Sequence, residues 1–70
     1  MITKQELESM EVGDTFKAGP LLPGVSDEPV MMRLSEMANG DYIFALSYHG
    51  VSMGEVAVLV RGGQITVEHL

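Results

Sequence analysis

From residue 30 onward the chain alternates between apolar and polar positions. Val30, Met32 and Leu34 fall on one side of an extended backbone, with Met31, Arg33 and Ser35 on the other. That is the period-two pattern of a strand. Tyr42, Phe44, Leu46 and Tyr48 alternate in the same way with Ile43, Ala45, Ser47 and His49. Both of these sets contain apolar groups, so this strand is expected at the centre of a sheet. A valine-dense run follows, and Ile65 and Val67 then alternate with Thr66 and Glu68. With the short Thr15-Phe16-Lys17 alternation, the pattern predicts strands at about 14–18, 30–38, 42–49, 55–61 and 64–69.

The connections have their own chemistry. Asn39-Gly40 and Gly62-Gly63 are two-residue hairpin signals, because both central positions of a type I′ turn need positive φ. Gly50 and Gly54 are read as framing a bend before the fourth strand. Met37 is out of phase with Leu34, which points to a bulge near Ser35 and Glu36. Ahead of the strands the period changes. Thr3 followed by Glu6 is a capping box, and Ile2 with Leu7 is a hydrophobic staple, so a surface helix is expected over about 4–11, ended by Gly13. The stretch 19–29 holds all the prolines and two glycines and is expected as a long loop. Its Leu21, Leu22 and Val25 would serve either as a lid on the core or as a binding element.

The fold class expected is therefore mainly β with one short N-terminal helix, as a five-stranded antiparallel small barrel or a curled meander sheet across residues 1–70 as a single domain. The strand plan with a long first connection resembles SH3-like barrels in outline. None of the aromatic residues that line an SH3 peptide groove can be placed by motif, so the resemblance implies no function.

Composition narrows the picture. At 70 residues, hydrophobic burial worth about 100 kcal/mol is set against a similar cost of ordering the chain. No cysteine is present to add a disulfide. Self-association or a partner chain is the remaining route to extra stability. Ten acidic against four basic residues give a net charge of −6, which disfavours direct binding of nucleic acid. Residues 1–11 have neither the basic start nor the apolar run of a signal peptide, and the run 56–60 is too short to span a membrane. A cytoplasmic location with no membrane partner is the expectation.

Chemistry-bearing residues are sparse. His49 and His69 with scattered carboxylates do not make a zinc set, so no metal is expected. No glycine-flanked serine elbow or phosphate loop occurs, so no catalytic residue and no cofactor is assigned. Glu36 with Glu55, or Asp41 with Tyr48 and His49, could act together only if the fold brought them close. The expected function is a small non-catalytic module that binds a protein or another copy of itself, as a homodimer. Met31, Arg33 and Met37 are expected to share one partly covered face, and Ile65 and Val67 to lie on an exposed edge strand. Leu21, Leu22, Asp27 and Glu28 are the candidate contacts in the loop. The alternative is an acidic decoy that fills a basic groove on a nucleic-acid-binding protein with Glu6, Glu8, Glu11, Asp14, Asp27 and Glu28.

Overall fold

A computed structural model describes residues 3–18 and 29–70 of the chain. Helix α1 is Lys4–Glu8, a little over one turn. The Thr3 side chain accepts a hydrogen bond from the Glu6 amide at 3.2 Å, which satisfies one of the free donors of the first turn. The Glu6 carboxylate accepts from the Thr3 hydroxyl at 3.2 Å, whereas a complete capping box would take it to the Thr3 amide. The helix stops three residues before the expected end. Ser9 donates its hydroxyl to the Glu6 carbonyl at 2.9 Å. Glu11 and Asp14 then close a turn on each other, the Glu11 amide reaching the Asp14 carboxylate at 2.9 Å and the Asp14 amide reaching the Glu11 carbonyl at 2.9 Å. These local bonds compete with another helical turn. The single helical residue that is fully buried is Leu7.

Five strands follow: β1 (Thr15–Ala18), β2 (Val30–Ala38), β3 (Asp41–Tyr48), β4 (Val51–Arg61) and β5 (Gln64–His69). They form one antiparallel sheet in the order β1-β2-β3-β4-β5, with β3 at its centre. The sheet is mainly β with one very short helix and is not closed into a barrel, since β1 and β5 occupy its two ends without pairing.

The meander depends on tight turns. Ala38 pairs with Asp41, Tyr48 with Val51 and Arg61 with Gln64, so each hairpin has a two-residue loop. The central residues are Asn39 and Gly40, His49 and Gly50, and Gly62 and Gly63, all at positive φ. This backbone matches the twist of the flanking strands. The His49-Gly50 turn replaces the bend expected between Gly50 and Gly54, and β4 accordingly begins at Val51 rather than 55.

Two bulges bend the sheet. Leu34 faces Phe44 while Glu36 faces Ile43, which leaves Ser35 as the extra residue in β2. Ala45 faces Glu55 while Ser47 faces Ser52, so Met53 and Gly54 of β4 together oppose Leu46. The core lies on one face, built from Leu7, Val30, Met32, Leu34, Phe44, Leu46, Val56 and Val58. Phe16 meets the Phe44 ring edge-on at 5.5 Å, an arrangement aromatic quadrupoles favour.

Candidate functional site

The candidate contact residues fall in separate places. Met31 and Arg33 project from β2 on the face opposite the core, where register sets Lys17, Met31 and Ser47 in one row and Thr15, Arg33, Ala45 and Glu55 in the next. Met37 does not join them, contrary to the expectation of a shared face. The bulge at Ser35 restores its phase with Leu34, so Met37 pairs with Tyr42 on the core side, at the rim, half exposed. One inserted residue reverses every side chain beyond it relative to a regular strand. Leu21, Leu22, Asp27 and Glu28 lie outside the described residues.

Ile65 and Val67 are on β5, packed against the edge of the core beside Val60 and Val58. Their strand is an end strand, and no described strand pairs with its outer side. The two ends of the sheet differ in kind. β1 has four residues with Lys17 among them. β5 has six, with no lysine, no proline and no bulge along its pairing with β4. Short length and lysine are ordinary ways of blunting an edge, and β5 uses neither. Because Arg61 and Gln64 close a two-residue hairpin, Gln64, Thr66 and Glu68 bond inward to β4. The backbone groups of Ile65 and Val67 therefore face outward.

Groups that could have formed an active centre are held apart or already engaged. Glu36 and Glu55 sit on β2 and β4, with β3 between them. Asp41 begins β3 while Tyr48 ends it. Asp41 is bound to Arg61 at 2.9 Å, and this hydrogen bond and charge raise the guanidinium above its usual pKa. The Tyr48 and His49 rings stack edgewise at 4.2 Å. Among the described residues no cluster of three or more His, Cys, Asp or Glu side chains is placed to hold a metal ion.

A recess of about 450 Å³ opens near the β3–β4 turn, framed by Lys17, Pro29, Met31, Ser47, Tyr48 and His49. Its volume is within the range of ligand sites, but such sites pair an apolar wall with a few fixed polar groups. Among the described residues no polar side chain is buried. The sequence did not point to this recess, because it depends on how β2 and the β3–β4 turn meet. The lack of lysine and proline along β5 is legible in the sequence after Gly63.

Comparison with protein-family models, with curated proteins and with solved structures returned no match in any of the three.

Proposed function

We propose that this chain is a small non-catalytic module that binds protein by accepting a strand at the β5 edge. The observation that carries the reading is the contrast between the two ends of the sheet among the described residues, one four residues long and carrying a lysine, the other six residues long with no lysine, proline or bulge and with Glu68 as its carboxylate. Strand addition takes its affinity from main-chain hydrogen bonds, and its selectivity from the side chains that alternate along the edge. Ile65 and Val67 supply an apolar rim continuous with the core.

The test is capture of partners by the wild-type chain alongside three variants. Thr66→Lys changes an exposed position of the edge, Met31→Asp changes the face opposite the core, and charge reversal at Glu6 and Glu8 changes the helix. Loss of the captured proteins in Thr66→Lys alone supports the edge. Loss in Met31→Asp alone moves the site to the other face, and loss with the helix variant favours the acidic-decoy alternative.

A further inference from the structure

The inference here rests on β5 being a docking edge and names what docks there. We propose that the occupant is β5 of a second copy, paired antiparallel about a two-fold axis through Thr66, so that one sheet runs through both molecules.

Parity restricts how two β5 strands can pair. Ile65 and Val67 offer their backbone groups outward, and in an antiparallel pair outward residues must oppose outward residues. Two-fold pairing then allows only registers with a residue facing its own counterpart. Centring on Thr66 sets Ile65 against the partner's Val67 and Gln64 against the partner's Glu68. Centring on Val67 instead sets Ile65 against the partner's His69 and Thr66 against the partner's Glu68. Centring on Glu68 sets two carboxylates face to face. The Thr66 register is the one that makes two apolar pairs on the core side while giving each carboxylate an amide side chain.

Both copies gain in the same way. Ile65 and Val67 are only half-buried, although Val58, which faces Val67, is fully buried. The core therefore thins out at β5, and a second β5 would continue it. On the opposite face, Thr66 and Glu68 are exposed, so the Thr66 pair at the axis would be joined by Gln64–Glu68 contacts on either side. No position along this seam sets like charges against each other. A foreign strand could meet these demands, but the second copy meets them with residues already in place.

Sedimentation equilibrium from low to high micromolar concentration tests the proposal, together with cross-linking of cysteine variants. The wild-type chain should pass from 7.6 kDa to twice that mass. Thr66→Lys would place two ammonium groups opposite each other and should weaken association by about two- to fivefold, with circular dichroism confirming an unchanged fold. Opposed residues at a non-hydrogen-bonded antiparallel position have Cα atoms about 4.5 Å apart, at the near end of disulfide reach. Under mild oxidation Thr66→Cys should therefore form a covalent dimer much faster than Gln64→Cys or Glu68→Cys. A wild-type chain that stays monomeric at high micromolar concentration overturns the second-copy proposal, as does cross-linking no faster at 66 than at the flanking positions. If the chain is monomeric and Thr66→Lys still abolishes partner capture, the edge stands as a docking site for another protein. If Thr66→Lys alters neither, both readings fall.

Discussion

Single residues decide where the sheet bends. Gly54 sits at φ +91°, and a Cβ built there would meet nothing within 4 Å. The cost of a side chain is therefore confined to backbone conformation, which is about 1–2 kcal/mol for an L-residue in the left-handed region. A domain of this length has on the order of 3–10 kcal/mol in total. Gly54→Ala should lower the urea midpoint with its m-value unchanged, and a midpoint equal to wild type would mean the bulge does not need this φ. In the sequence Gly54 stands as a lone glycine, which marks the limit of a bend and a bulge equally well. His49 is legible as a neighbour of a turn glycine, but its own place at the centre of the hairpin loop, with φ of +50°, is not: histidine is among the non-glycine residues that tolerate positive φ without being one of the usual turn formers.

At the level of elements, alternation made the strands legible, and one inserted residue limited how far it could be followed. β2 and β3 lie within a residue of their expected bounds, and β3 is central because both of its faces carry apolar groups. Periodicity also places a bulge near Ser35, and that inserted residue carries Met37 to the core side opposite Tyr42, whereas a face shared by Met31 and Met37 holds only for an unbulged strand. The pairing yields a sharp expectation. Deleting Ser35 leaves Leu34 against Phe44, Glu36 against Ile43 and Met37 against Tyr42, so every side chain keeps its face and the cost should be about 1 kcal/mol or less. Deleting Arg33 exchanges Met31 with Val30 and Met32 between faces, placing the two buried side chains in water. That variant should fail to fold. Far-ultraviolet circular dichroism and a thermal melt on the two deletions check the pair, and equal damage from both would show that Ser35 is not the extra residue.

For the whole molecule, charge and assembly pull against each other. Each copy carries −6, so a dimer brings together two bodies of like sign, while the seam at β5 brings only Glu68 from each and faces it with Gln64. The long-range repulsion reaches roughly 30 Å at 0.01 M salt and only about 8 Å at 0.15 M, whereas backbone pairing and the Ile65–Val67 contacts are short-ranged and barely screened. Raising salt across that interval should therefore strengthen association, lowering the dimer dissociation constant on the order of tenfold. The thermal transition should rise with protein concentration in parallel, as linkage between folding and association requires. An acidic surface that bound a basic groove would respond in the opposite sense, losing affinity as counterions were restored. The sign of the salt dependence thus separates the two modes. A dimer that loosened with salt would have to be held by opposed charges, which the Thr66 register does not contain.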